Sequence, residues 1–136
     1  MSTALAERAW SVVVPHHARG AGLARHRLAA ELGGAVRPTL LADAVAVVAE
    51  LVGNAVRHAQ PLPGGVVRVA WRLRPSRAGD AVEVRVTDGG ATDPPHVRRV
   101  GPESLDGRGL TIVAALADRW GVERDGLGQS VWAELS

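Results

Sequence analysis

The chain has 136 residues, of which 46% are hydrophobic and 22% are charged, a composition typical of one globular domain with a core of its own. It contains no cysteine, which excludes disulfides, thiol catalysis and cysteine zinc sites, and fits a cytoplasmic protein. The net charge is only +2, because 16 basic residues are interspersed with 14 acidic ones; without a clustered basic face we expect no nucleic-acid binding.

We also expect no contact with a membrane. No apolar run is long enough and free enough of charge to span a bilayer. At the N-terminus, Glu7 and Arg8 interrupt the stretch that a signal peptide would need to be apolar. The sequence therefore predicts a single cytoplasmic domain over residues 1–136, with its core from about residue 10 to 135.

Hydrophobic periodicity and turn residues divide this domain into eight elements. Pro15 ends the first strand, Gly33 and Gly34 stop the first helix, Thr39 is expected to cap the second helix, and Gly121 is expected to stop the third. In chain order the predicted elements are a strand over 10–14, helices over 19–32 and 40–59, strands over 66–74 and 81–87, a helix over 110–120, and strands over 122–124 and 130–135.

This order predicts an α/β fold. Neighbouring strands joined by tight turns pair antiparallel, and the helices must cover one face of the resulting sheet. We therefore expect a two-layer sandwich with a mixed, mostly antiparallel sheet and the helices on one side. The predicted loop over residues 89–107 is unusually long for so compact a domain, which favours a functional lid.

The stretch "ELVGNAVRHA" carries a narrow polar stripe on an otherwise apolar helix. With Glu50 at zero on a helical wheel, Asn54 lies near ~40° and His58 near ~80°. Such a stripe is either the thin solvated edge of a buried helix or the lining of a pocket. In a pocket, the carboxylate and the amide oxygen one turn apart suit Mg²⁺, and the carboxylate could also act as a base. His58 fits a structural role at the helix end.

Two further stretches are compatible with the same pocket. In "VTDGG", Asp88 ends a strand and is followed by two glycines; this is either an ordinary Asp-Gly turn or a carboxylate that accepts from the amino group of adenine. In "DGRGLTIV", Gly107 and Gly109 precede a helix whose first N–H groups are unpaired, an arrangement that binds phosphate. The pattern matches neither the P-loop nor the dinucleotide fingerprint.

Together the three stretches resemble the N, G1 and G2 boxes of the ATPase superfamily that includes gyrase, the histidine kinases and the mismatch-repair ATPases. They are, in order, Glu50-x-x-x-Asn54, Asp88-x-Gly90 and Gly107-x-Gly109-Leu110. The segments "GRGLTIVAALADRWGV" and "SVWAEL" are most similar to its stand-alone branch, the anti-sigma-factor serine/threonine kinases. This resemblance spans about residues 10–135 and implies the Bergerat ATP-binding fold.

The resemblance implies separate roles for the N-box and G1 residues. Asn54 would coordinate the Mg²⁺ that is bound to the ATP phosphates. Glu50 would be the catalytic base that takes the proton from a serine or threonine hydroxyl. Asp88 would read adenine, with Gly90 beneath the ring.

The resemblance also assigns the G2 region and the lid. Gly107 and Gly109 would line the phosphates and hinge a lid over residues 91–106, and Leu110 belongs to the same box. Arg108 would face either the phosphates or a partner protein.

Two positions depart from the family's pattern. Thr92 stands where the G1 box usually has another glycine, and two prolines follow it, which leaves lid motion and nucleotide affinity open. Gln129-Ser130 stands where this branch often has Lys-Thr. The hydroxyl of Ser130 could still contact a phosphate, although the lysine charge is gone.

The function implied by the resemblance is an ATP-dependent protein serine/threonine kinase in a partner-switching system. It would bind a sigma factor or a similar regulator and phosphorylate a small antagonist protein of the anti-anti-sigma type, with ATP and Mg²⁺ as cofactors. The alternative is a non-catalytic module that binds ATP to shape a protein-binding surface. Family analogy also allows a homodimer through the N-terminal strand or an adjacent helix.

Overall fold

The computed structural model describes residues 7–75, 79–90, 105–126 and 128–136, with the side chains of the third helix described from Leu110 onward. Eight elements follow in chain order: β1 (Arg8–Pro15), α1 (Arg19–Leu32), α2 (Pro38–His58), β2 (Val66–Arg74), β3 (Ala81–Asp88), α3 (Leu105–Leu116), β4 (Arg119–Asp125) and β5 (Gly128–Leu135).

The five strands form one open sheet in the order β1-β2-β3-β5-β4. All four pairings between these strands are antiparallel, so the mostly antiparallel sheet predicted from the sequence is confirmed, without a parallel pair among the described strands. Because β3 and β5 run in opposite directions, the end of β3 lies beside the start of β5. Asp88 and Gln129 are paired across this boundary.

The two faces of the sheet have opposite character. Along β3, Val82, Val84 and Val86 are buried while the residues between them are partly exposed, as expected for a strand with one face on the core. The buried face shares a single apolar core with the buried residues of the three helices. The other face is charged and carries ion pairs such as Arg85 to Glu123 at 2.7 Å. The predicted two-layer arrangement, with helices on one side, is therefore confirmed.

Helix α2 lies at the centre of this core. It packs against α1, α3 and β3, and its buried residues are Leu40, Ala44, Val47, Val48, Leu51, Val52 and Ala55. The predicted cap was wrong: Arg37 occupies the N-cap without a side-chain hydrogen bond, and Pro38 begins the helix. Proline suits this position because it lacks the N–H that would be unpaired there.

The expectation that no run could span a membrane was also wrong by length and composition. Helix α2 has 21 residues and a mean hydropathy of 1.7, so it is long and apolar enough to cross a bilayer. The core helix of a folded domain can have the same length and composition, and the apolar side of α2 faces α1 and the sheet.

The third helix and the strand after it differ from the prediction. Helix α3 begins at Leu105 and ends at Leu116, and Trp120 and Gly121 belong to β4. Gly121 does not stop a helix; a Cβ there would lie 3.0 Å from the indole of Trp132 on β5. This glycine lets the Trp132 ring lie flat against β4, a contact that local periodicity cannot reveal.

Candidate functional site

The polar stripe predicted on α2 is partly exposed. Glu50 and Asn54 are half-buried, and Arg57 and His58 are exposed on the last turn. Since the apolar sides of α2 are taken by the core, the stripe is the part of this helix left to meet a ligand. The four-residue spacing places the Glu50 carboxylate and the Asn54 amide one turn apart on one side of the helix.

The amide oxygen of Asn54 already accepts a hydrogen bond from a cation. Nη2 of Arg57 donates to Oδ1 of Asn54 at 3.0 Å. The guanidinium also lies over Gly53, where a Cβ would be 3.0 Å from Nη1 of Arg57. The lack of a side chain at Gly53 therefore leaves room for this contact.

These residues fit Mg²⁺ held jointly with a phosphate ligand. No group of three or more His, Cys, Asp or Glu side chains capable of holding a metal occurs among the described residues, so the protein offers no all-protein cage there. Mg²⁺ commonly binds through one or two protein oxygens, substrate phosphates and water. Asn54 presents such an oxygen, already oriented toward a positive charge, and Glu50 lies one turn away.

At the end of β3, Asp88 is a buried carboxylate. Its exposed fraction is 3%, and Oδ1 accepts the backbone N–H of Gly90 at 2.7 Å. Burial raises the pKa of the Asp88 carboxyl, and the Gly90 hydrogen bond and the nearby His16 imidazole partly oppose the rise. Gly90 has a φ of 91°, a left-handed conformation that glycine adopts without strain.

Backbone contacts join the Asp88 turn to the segment that follows α2. The N–H of Gly89 donates to the carbonyl of Gln60 at 2.8 Å, and the N–H of Gln60 donates to the carbonyl of Gly90 at 2.9 Å. A Cβ on Gly89 would lie 2.3 Å from the carbonyl oxygen of Pro61, so this position admits only glycine. The two bonds fix the position of Asp88 relative to the end of α2.

His16 connects β1 to the same region. Its Nε2 lies 3.0 Å from the carbonyl oxygen of Ala55 and 2.8 Å from that of Ala59. Both partners are acceptors, so Nε2 carries the proton and donates to them. The imidazole thereby contacts two carbonyl groups at the C-terminal end of α2, of which that of Ala55 also accepts the Ala59 N–H at 3.1 Å.

The start of β5 brings Gln129, rather than Ser130, to this side of the sheet. Gln129 is 3% exposed and is paired with Asp88 in the sheet register. The nucleotide contact of Ser130 stays a prediction, and because successive strand residues point to opposite faces, Ser130 lies on the other face of the sheet from Gln129. The Ser130 hydroxyl lies 2.7 Å from that of Thr87, on the face away from the helices. The alternation of Gln129 with Val131, Ala133 and Leu135 was the signal in the sequence that could have identified Gln129.

The G2 glycines lie inside α3 rather than before it. Because the helix begins at Leu105, Gly107, Arg108 and Gly109 belong to its first turns, and the unpaired N–H groups at its start belong to about residues 105–108. Leu110 is buried, with an exposed fraction of 6%. Of the predicted lid, residues 91–104 lie outside the described residues, and 105 and 106 are helical.

The fold thus brings together parts of the chain that are distant in sequence. Strand β3 and helix α3 both pack against α2, and β5 lies beside β3. The N-box residues Glu50 and Asn54, the turn after Asp88 and the first turns of α3 therefore belong to neighbouring elements. An amide, carboxylates and free helical N–H groups on neighbouring elements are chemically suited to a nucleotide with its metal.

Comparison with known proteins identifies the fold and the family of this chain. Among solved structures, the RsbU and RsbW domains of Rv1364c from Mycobacterium tuberculosis have a similar fold, with a TM-score of 0.62 and 19% sequence identity. The similarity covers 94% of this chain but 32% of that one, so this chain spans about a third of its length, and the likeness shows the fold alone. No curated protein matches. The family model of the histidine kinase-like ATPase domain matches residues 14–135, nearly the whole sequence, and the chain therefore belongs to this family.

Proposed function

We propose that this protein is an ATP-dependent protein serine/threonine kinase that acts as an anti-sigma-type regulator in the cytoplasm. It would form a single ATP-binding domain, bind a sigma factor or similar regulator, and phosphorylate a small antagonist protein. The family membership supports the ATP-binding part, and the similarity of its motifs to the stand-alone anti-sigma kinases supports the kinase part.

One observation carries the proposal. Glu50 and Asn54 lie one turn apart on the accessible side of α2, and this helix packs against the strand that ends in buried Asp88. Asp88 would hold the adenine ring, while Asn54 would hold Mg²⁺ at the phosphates. The acceptor hydroxyl would then meet Glu50 on the phosphate side of the nucleotide.

Each site residue would have one task in phosphoryl transfer. Glu50 would take the proton from the serine or threonine oxygen as that oxygen bonds to the γ-phosphorus and ADP leaves. Mg²⁺, when bound, would neutralise charge on the phosphates. The unpaired backbone N–H groups at the start of α3, which include those of Gly107 and Arg108, would stabilise the same charge, and Gly90 would allow close approach of the adenine ring.

The test compares the wild type with Glu50→Gln. The carboxamide keeps the size of the side chain but cannot accept the proton, so Mg·ATP binding should persist while transfer falls by about 10²-fold or more. The protein is used to capture partners from the source cell in the presence of Mg·ATP, and phosphoserine and phosphothreonine are mapped on the captured proteins. Asp43→Asn, which removes another half-buried carboxylate from the same helix, is the matched control.

The two functional candidates give different results in this test. A kinase gives phosphorylation with the wild type and with Asp43→Asn but not with Glu50→Gln. A wild type that binds ATP and captures a regulator without phosphorylating any captured protein would instead be the non-catalytic module. Transfer at the wild-type rate by Glu50→Gln would exclude Glu50 as the base.

A further inference from the structure

Among the described residues, only two polar side chains are buried, and they are neighbours. Asp88 and Gln129 each have an exposed fraction of 3%, and they are directly paired across β3 and β5 on the face that carries the core. Buried polar groups are costly unless they have partners. Each has one partner in the protein, the Gly90 N–H for Asp88 and Arg124 for Gln129, so the question is which of their remaining polar groups a ligand at this edge would meet.

The orientation of the Gln129 amide follows from its contact with Arg124. Nε of Arg124 donates to Oε1 of Gln129 at 3.1 Å, and a guanidinium contains only donors. The amide end that faces Arg124 must therefore be the oxygen, which fixes the assignment of oxygen and nitrogen in this side chain.

The sheet order then determines what Gln129 presents to Asp88. Strand β5 lies between β3 and β4, so Arg124 and Asp88 flank Gln129 on opposite sides. With its oxygen occupied by Arg124, the amide has its NH₂ group left to offer a ligand beside Asp88. The site therefore places an acceptor, the Asp88 carboxylate, next to a donor, the Gln129 amide.

We infer that Gln129 is a second base-reading residue, which donates a hydrogen bond to N1 of adenine while Asp88 accepts from the neighbouring amino group. This inference rests on the proposed ATP site and states which atoms of the adenine ring that site recognises. Adenine offers a donor at its amino group beside an acceptor at N1, the complement of the Asp88–Gln129 pair. Guanine offers a carbonyl and an N–H at the same two positions, which places an acceptor against the carboxylate and a donor against the amide.

The depth of the two residues selects N1 over N7. The ribose is attached to N9 of the five-membered ring, which also contains N7, so the far edge of the six-membered ring enters a pocket furthest. Asp88 and Gln129 are both almost fully buried, and they would therefore contact the edge that carries the amino group and N1.

The test measures the affinities of ATP, 1-deaza-ATP and 7-deaza-ATP, each with Mg²⁺, by calorimetry. The wild type should bind 1-deaza-ATP about tenfold more weakly than ATP and 7-deaza-ATP within about twofold. Gln129→Met keeps the length of the side chain without the donor. It should bind ATP about tenfold more weakly than the wild type and no longer distinguish ATP from 1-deaza-ATP.

Two further variants keep the result interpretable. Arg27→Met places the same new side chain on the exposed surface of α1 and should behave like the wild type. Gln129→Glu retains the side-chain size and the contact with Arg124 but replaces the donor by an acceptor, so it should bind 1-deaza-ATP at least as tightly as ATP. Melting temperatures without nucleotide verify that each variant is folded.

The outcomes separate this inference from the proposed function. If Gln129→Met still distinguished 1-deaza-ATP from ATP as the wild type does, or if the wild type did not distinguish them, Gln129 would not read N1 although ATP binding stood. If the wild type bound none of the three nucleotides, the ATP site itself would be wrong, and the inference with it.

Discussion

At the residue scale, the unusual group is the Asp88 carboxyl. Burial raises its pKa, so the folded protein favours the protonated form more than the unfolded chain does. The resulting stabilisation is complete below the ordinary carboxyl pKa and is lost as the pH rises through the higher pKa of the folded state. The carboxyl group therefore contributes less to the stability of the free protein as the pH rises, and a ligand amino group that stabilises the carboxylate would offset this loss.

We predict that Asp88→Asn stabilises the free protein at neutral pH and abolishes its preference for ATP. The amide can still accept the Gly90 N–H but carries no buried charge, and a gain of about 1 kcal/mol would raise the melting temperature by about 3 °C. Below the ordinary carboxyl pKa both proteins are neutral at this position, and the difference in melting temperature should vanish. A variant that melts lower than the wild type at pH 7, or a difference independent of pH, would contradict this account.

The contact between Arg57 and Asn54 leads to a second prediction at this scale. The Arg57 guanidinium donates a hydrogen bond to Oδ1 of Asn54 at 3.0 Å. The same oxygen is proposed to bind Mg²⁺, and two cations on one oxygen repel each other. Mg²⁺ must therefore displace Arg57, and Arg57→Met should lower the Mg²⁺ concentration needed for half-maximal stabilisation by ATP about threefold.

Thermal melting across a Mg²⁺ titration at fixed ATP measures this shift. Arg25→Met removes an exposed arginine from α1 and serves as the control, with the midpoint expected to stay at the wild-type value. An unchanged or higher Mg²⁺ requirement in Arg57→Met would show that the two cations do not compete.

At the element scale, the junction between β3 and β5 depends on the absence of a side chain at Gly128. A Cβ there would lie 2.1 Å from the carbonyl oxygen of Asp88, so any larger residue must separate the strands that hold Asp88 and Gln129. We predict that Gly128→Ala destabilises the fold by about 2 kcal/mol or more and weakens ATP binding.

Urea unfolding of Gly128→Ala beside Gly126→Ala measures the effect. Gly126 lies in the turn between β4 and β5, with open space around its Cβ position. The stability of Gly126→Ala should therefore stay within about 0.5 kcal/mol of the wild type. Equal losses of unfolding free energy in the two variants would mean that the turn between β4 and β5 tolerates alanine at neither position. The contact with Asp88 would then not be the cause.

Comparison of sequence and structure at this scale shows which elements local patterns can identify. Helix α1 and strand β2 have the predicted bounds, because glycines, a proline and strict alternation mark their ends in the sequence itself. The β4 strand was misassigned at its start, since the packing of Trp132 over Gly121 joins residues of two strands. The cap of α2 was also wrong, because Thr39 and Pro38 are both acceptable at a helix start.

The residues of the candidate site were likewise predictable only where local sequence patterns mark them. Glu50, Asn54 and Asp88 emerge from short motifs whose spacing is local, and the fold places them on neighbouring elements. The hydroxyl group pointed to Ser130, whereas the burial of Gln129 on the core face follows from the alternation of β5. The contact of Arg57 with Asn54 depends on side-chain conformation, which spacing alone does not determine.

At the scale of the whole molecule, the sheet has a core face and a charged face, and substitutions on the two should differ in cost. Val84 is fully buried at the centre of β3, and its neighbour Arg85 points to the other face, where it pairs with exposed Glu123. We predict a loss of about 2 kcal/mol for Val84→Ala and less than about 1 kcal/mol for Arg85→Ala. Chemical denaturation measures both, and a larger cost for Arg85→Ala would mean that the charged face is covered by something in solution.

The central claim is that the elements around Asp88 form a site that selects ATP. Its most direct test is the melting temperature of the wild type with Mg·ATP and with Mg·GTP at equal concentrations. Binding at a hundredfold excess over Kd stabilises the folded state by about 2.7 kcal/mol, so Mg·ATP should raise the melting temperature by several degrees while Mg·GTP leaves it nearly unchanged. Equal shifts with the two nucleotides, or no shift with either, would contradict the claim.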